Sequence, residues 1–187
     1  MVNSIISRIG NRMTHIYLAG PDVFWPNAKE AGAAKVALCE EYGFKGHFPL
    51  DTELDLSGLT PYAAGMAIYR ANINLMDSAD LIIANMTPFR GPSMDVGTAF
   101  EIGYMMAQKK PIWGYTLDGR LYSDRVEQPQ AGLDAHGDQV EQFEMTDNLM
   151  MIGAIDHSGG QLHCENRAPS LEEHLRVFRR VLSKIAD

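Results

Sequence analysis

The chain is predicted to be an α/β protein: one domain built on a doubly wound parallel sheet of about five strands flanked by helices. Three observations predict this class. Short apolar runs alternate with helical stretches along the chain. The clearest run, Leu81-Ile82-Ile83-Ala84, is apolar at every position, as a strand covered by helices on both faces must be. Finally, 187 residues enclose one core but not two ordinary ones.

The elements follow in order. Residues 15–19 read as a buried strand running into the turn Gly20-Pro21. Asn27 is placed to cap a helix reaching Tyr42, and Gly43 stops it. A second strand is expected over 44–50 and a loop over 51–59. Thr60-Pro61 then opens a helix to Ser78, with proline at the first helical position. After the strand at 81–84 comes a loop over 85–93, a helix over 94–108 and a fourth strand over 111–115.

Residues 116–138 are polar and hold several glycines and prolines, so a mobile loop or lid is expected there. Helices are expected over 139–151 and 170–185, with a short strand around 151–155. This is a flavodoxin-like or Rossmann-like order. Ligands of such sheets bind at the carboxyl ends of the strands, which directs attention to residues 17–26, 85–101 and 115–125.

Composition narrows the function classes. A net charge of −8 repels phosphate backbones, so a nucleic-acid partner is not expected and a small, uncharged ligand is favoured. No window is apolar for long enough to cross a bilayer. The two cysteines, Cys39 and Cys164, lack metal-ligand or redox spacing and suit a reducing cytoplasm. Residues 1–12 lack the features of a secretory signal and read as a flexible extension ahead of a domain spanning 13–187.

The most informative stretch runs from Ser93 to Glu101. Gly97 and Thr98 suit a tight entry from loop to helix, where backbone approaches a ligand closely. Asp95 and Glu101 bring two carboxylates to that entry. The helix dipole alone favours acids in such places, so the pair is not diagnostic. The neighbours of Glu101 shift the balance: Phe100, Ile102, Tyr104, Met105 and Met106 make an apolar setting in which a carboxylate without a task is costly.

Several segments, in one order, resemble the nucleoside 2-deoxyribosyltransferase family. These are Tyr17-Leu18-Ala19-Gly20-Pro21 with Phe24, and Asn72-Ile73 through Ala79-Asp80 to Asn85. They are followed by Phe89-Arg90-Gly91, by Asp95-x-Gly97-Thr98-Ala99-x-Glu101-x-Gly103-Tyr104, and by Asn148-Leu149-Met150. The resemblance runs from about Tyr17 to Met151.

The resemblance implies transfer of a 2-deoxyribosyl group between nucleobases, with small-molecule substrates, no cofactor and no metal. Glu101 would be the nucleophile, Tyr17 its hydrogen-bond partner, and Asp95 the acceptor for sugar hydroxyls. Asn148 would complete the site of an adjacent subunit in a homo-oligomer. Phe24 and Trp25 are candidates for stacking on the base and Arg90 for contacting it, with Gly91 and Gly97 in the ligand-facing loops. One departure stands out: Asn72 occupies a position where some members carry a proton-donating aspartate, and an amide cannot take that role. Asn72 would then only hydrogen-bond the base, leaving water, Asp77 or Asp80 to supply the proton.

Other readings compete. An N-hydrolase of 2′-deoxynucleosides or of their 5′-monophosphates shares this nucleophile, but a 5′-phosphate favours serine where this chain has Asp95. The cytokinin-activating phosphoribohydrolases share Gly-Thr-x-x-Glu but carry paired glycines where Ser93-Met94-Asp95 stands. A non-enzymatic nucleoside-binding module would need Glu101 only as a sugar ligand.

Overall fold

The structure is a computed structural model that describes residues 12–50 and 54–187. Five strands form one parallel sheet in the order β2-β1-β3-β4-β5: β1 (Thr14–Ala19), β2 (Phe44–His47), β3 (Leu81–Asn85), β4 (Ile112–Thr116) and β5 (Leu162–Cys164). The helices between and after them are α1 (Ala28–Glu41), α2 (Pro61–Ser78), α3 (Val96–Ala107), the one-turn α4 (Tyr122–Arg125), α5 (Leu149–His157) and α6 (Leu171–Ala186).

Alternation along the strands sorts the interior into two cores. Ile16, Leu18, Ile83, Trp113 and Tyr115 meet Leu38 and Cys39 of α1 and Val177, Phe178, Val181, Leu182 and Ile185 of α6. Tyr17, Ala19, Ile82 and Ala84 point the other way, onto Met76 of α2, Ile102 and Met105 of α3, and Ala154 and Ile155 of α5. Burying each large side chain contributes about 1.5–3 kcal/mol. Every residue of β3 and of β4 is buried, as the uniformly apolar runs require.

Several boundaries differ from expectation. β2 stops at His47, which leaves Pro49 and Leu50 to line a cleft beyond the strand end. Residues 139–148 are not helical. The buried Asp147 accepts from the Met94 N–H at 3.0 Å and lies 3.8 Å from the Arg125 guanidinium, which holds the chain out of a helix until Asn148 caps α5 by accepting from the Met150 N–H. The strand expected at 151–155 lies inside α5. The fifth strand follows later, past Gly160, where a Cβ would sit 1.8 Å from the Ile112 carbonyl oxygen.

Of the expected lid, residues 122–125 form α4, tied down by Tyr122 N–H to Met145 C=O at 2.8 Å. Asn27 occupies the cap position of α1 without a side-chain capping bond, whereas Thr60 caps α2 by accepting from the Ala63 N–H. The expected extension lies outside the described residues except for Arg12, which is exposed and 3.7 Å from Asp80. No helix among the described residues is long and apolar enough to cross a membrane.

Candidate active site

Asp95 is the N-cap of α3. Its Oδ2 accepts from the Thr98 N–H at 3.0 Å and from the Thr98 hydroxyl at 3.2 Å. Gly97 and Thr98, four and three residues before Glu101, each neighbour it on the helix, and Asp95, Gly97, Thr98 and Glu101 line one cleft. A Cβ on Gly97 would stand 3.0 Å from Asp95 Oδ2, so a larger residue would press on the capping carboxylate.

β1 supplies the opposite wall. Tyr17, fully buried, donates its phenolic hydrogen to Glu101 Oε1 at 2.5 Å, across 84 residues of sequence. Burial, then the charge of Glu101 and the bond to it, push the phenol far above its ordinary pKa, so Tyr17 stays a donor. Glu101 is raised to about 7. Burial is the largest cause, the bond from Tyr17 opposes it, and the negative charge of Asp95 adds to it. Near neutrality the carboxyl therefore divides between its two protonation states.

Glu101 opens into a cleft of about 280 Å³ lined also by Gly20, Phe24, Asn72, Asp95 and Gly97. An adjoining hollow of similar size shares Asn72, Gly97 and Glu101 and adds Tyr69 and Phe100. Asn72 reaches both from α2, and its carbonyl oxygen is buried without a hydrogen-bond partner among the described residues. Gly20 has φ of 150°, and a Cβ there would meet Asp22 Oδ2 at 2.5 Å, so no side chain fits at the turn from β1.

The structure divides the remaining sequence candidates. Phe24 lines the cleft and stacks on Phe89, ring centres 5.3 Å apart, with the Arg90 guanidinium over both rings. Arg90 and Gly91 are exposed in the following loop and line neither hollow. Trp25 turns to the opposite face of the sheet and packs on His174 at 4.7 Å, so it does not line the Glu101 cleft. The short 3-10 turn Pro21–Phe24 ends between the two aromatics and sends them apart.

Asp77 and Asp80 line neither hollow. Asp77 is exposed and accepts from Tyr104 and Gln108, while Asp80 accepts from the His15 N–H at 2.8 Å. Asn148 lines neither hollow of its own chain; it caps α5 and donates to Glu141 at 2.7 Å.

Sequence reasoning missed Pro49 and Leu50, which the carboxyl-end rule for strands would have found just beyond β2. It also missed a buried polar chain: Lys35 to Asp22 at 2.8 Å, and Asp22 to Asn85 at 3.1 Å. The signal for Lys35 was its place on the buried stripe of α1, with Ala28, Ala31, Gly32, Leu38 and Cys39.

The all-parallel five-stranded sheet defines a flavodoxin-like α/β protein, and comparison with known proteins defines the family. Residues 16–150 match the nucleoside 2-deoxyribosyltransferase family, and the chain belongs to it. A 2-deoxyribosyltransferase from Leishmania mexicana is 29% identical with a TM-score of 0.65, covering 89% of this chain and 97% of that one. A conserved protein from Enterococcus faecalis shares the fold at 24% identity and a TM-score of 0.54, over 90% of this chain and 99% of that one. An uncharacterised protein of Schizosaccharomyces pombe is 42% identical over 113 residues, 59% of this chain and 54% of its own length. The chain thus spans about half the length of that curated relative.

Proposed function

We propose that the protein transfers 2-deoxyribosyl groups between nucleobases through a covalent ester on Glu101. The observation that carries this reading is the Glu101 carboxyl itself, held at 2.5 Å by Tyr17, opening into a cleft and poised near neutrality. A Glu101 oxygen attacks C1′ of a deoxynucleoside, and the C1′–N bond breaks with its electron pair going to the base. An incoming base nitrogen then attacks C1′ and releases the carboxylate. Two inversions return the β anomer.

Without a 2′-hydroxyl, the sugar reaches an oxocarbenium-like transition state readily, so a well-oriented carboxylate suffices. Asp95 accepts from sugar hydroxyls with the lone pairs left by Thr98. Asn72 offers its amide to the base, and Phe24 packs against the base plane. With Asp77 and Asp80 engaged elsewhere and an amide at position 72, solvent in the open cleft supplies the leaving-group proton.

The working form is a homo-oligomer with shared sites, in which Asn148 reaches the cleft of a neighbouring subunit. Supporting this, α2, α3 and α5 carry exposed apolar side chains: Tyr69 (47%), Val96 (85%), Phe100 (51%) and Met150 (65%). Tyr69 and Phe100 lie side by side, ring centres 6.3 Å apart, and an exposed aromatic pair of this kind favours a protein interface.

The test is incubation of the protein with deoxyinosine and adenine, separating exchanged nucleoside from free deoxyribose. Deoxyadenosine is expected, and Glu101→Ala lowers its formation by about 10³-fold or more, the scale of losing a nucleophile. Deoxyribose as the main product would reassign the protein as a hydrolase. Undiminished exchange in Glu101→Ala would remove Glu101 from the chemistry.

A further inference from the structure

On the sheet face opposite Glu101, a cavity of about 310 Å³ opens beyond the carboxyl ends of β1 and β3, within the size range of small-ligand pockets. Trp25, Phe89, Leu171 and Pro169 line it, and its polar side chains are Asn27, Asn85, Thr87, Ser170 and His174. None of its lining residues is Asp, Glu, Lys or Arg.

Ser170 caps α6 by accepting from the Glu173 N–H and Asn27 donates to Glu30, and the hydrogen-bond network fixes what the other three offer. Asn85 Oδ1 accepts from the Thr87 N–H, which orients the amide, and Asn85 Nδ2 donates to Asp22 Oδ1 at 3.1 Å. Asp22 is itself locked to the buried Lys35. The second hydrogen of Asn85 Nδ2 faces His174 Nδ1 at 3.4 Å, so Nδ1 is the acceptor and the ring proton lies on Nε2. Burial pushes the imidazole down to about 4 despite the charge of Asp22, with Lys35 adding to the lowering, so the ring is neutral.

Nε2–H has no hydrogen-bond partner among the described residues, although His174 is only 2% exposed and lines the cavity. Thr87 Oγ1 accepts from the Leu117 N–H at 3.1 Å, which leaves the hydroxyl proton of Thr87 to donate as well. The pocket therefore presents aromatic walls and unspent donors, with no charge to balance. A donor that opens into a cavity in this way is free to bond a ligand acceptor.

We infer that this second cavity binds an uncharged, planar nitrogen heterocycle of the nucleobase class, whose ring contacts Trp25 and Phe89 and whose in-plane carbonyl oxygen or aza nitrogen accepts from His174 Nε2–H. The walls of the two sites meet: Phe24, in the Glu101 cleft, stacks on Phe89, and Trp25 follows it directly in the chain. The proposed function enters only in the choice of nucleobases as probes. Binding is read without turnover, so failure here and failure of the exchange assay are separate results.

The experiment titrates the full chain with adenine and with hypoxanthine while following the fluorescence of Trp25; the other tryptophan, Trp113, is buried in the core. A saturable change is expected. It weakens by about tenfold or more in His174→Phe, which leaves a ligand acceptor facing no donor, and returns in large part in His174→Gln. Leu171→Phe, in the lining, fills the cavity without disturbing the core and should weaken binding even if His174→Phe fails to fold. Asn72→Leu, in the Glu101 cleft, should leave the change intact. No saturable change up to the solubility of either base overturns the inference. So does a change that His174→Phe and Leu171→Phe leave unaltered, or one that Asn72→Leu abolishes.

Discussion

The phenol of Tyr17 and the carboxyl of Glu101 form one hydrogen-bonded unit, 2.5 Å from oxygen to oxygen, joining the inner strand β1 to the helix α3. Its strength and its titration follow from burial. Both groups lie out of bulk water, so the donor keeps its proton and the acceptor gains one more readily than a surface glutamate does.

The first prediction is a pH dependence. Only the ionised carboxylate attacks, and burial raises Glu101 to about 7, so kcat/KM rises with pH through about 7 instead of levelling off near 4.5. The bond from Tyr17 lowers that value. Tyr17→Phe removes it and moves the rising limb to higher pH, with a loss of rate at pH 7 that partly recovers at pH 9. A pH–rate series on both proteins checks this; a limb that moves to lower pH in the variant contradicts it.

Asp95 sets the second. Its carboxylate faces the cleft, and a 5′-phosphate brought near it would meet repulsion of roughly a kcal/mol or more. Deoxynucleosides are therefore turned over and their 5′-monophosphates are not, and Asp95→Ser narrows the difference in kcat/KM. That variant keeps a side chain able to cap α3, so melting changes little. Preferred turnover of monophosphates by the wild type would reverse the assignment.

Shared sites give the third. Phe100→Asp introduces charge into the exposed Tyr69–Phe100 pair beside Glu101, and sedimentation should show dissociation together with loss of exchange. Asn148→Ala should lower kcat/KM without dissociation. A fully active monomer would contradict both.

The fourth concerns stability. Lys35 and Asp22 are 2% and 1% exposed and bonded at 2.8 Å, with the ammonium also over the rings of Tyr115 and Phe178. Lys35→Met leaves Asp22 without its cation and should cost about 3–5 kcal/mol in urea unfolding. A loss below about 1 kcal/mol, the scale of an exposed pair, would show that the charge is solvated.

Much of this was legible in the chain. β3 could be read because Leu81 to Ala84 are all apolar, and α3 was expected from residue 94 but begins at Val96, where Asp95 caps it. Tyr17, Asp95 and Glu101 converge because the first two sit at a strand and a helix cap with sharp local signals. Periodicity failed where a long-range bond decided the backbone: the hydrogen bond of buried Asp147 to Met94 holds residues 146–148 out of the helix expected there. Nor does local sequence tell which of two adjacent aromatics faces which side of a sheet. Phe24 and Trp25 part at the end of a four-residue 3-10 turn that follows Gly20, where an added Cβ would run into Asp22 and Asn85.

The central claim is tested most directly by acid-quenching the protein during incubation with deoxyinosine alone and mapping its peptides by mass spectrometry. A 2-deoxyribosyl adduct on the carboxyl of Glu101, absent in Glu101→Gln and discharged when adenine is added before the quench, is the predicted result. An adduct on another residue, or steady exchange by Glu101→Gln, would contradict it.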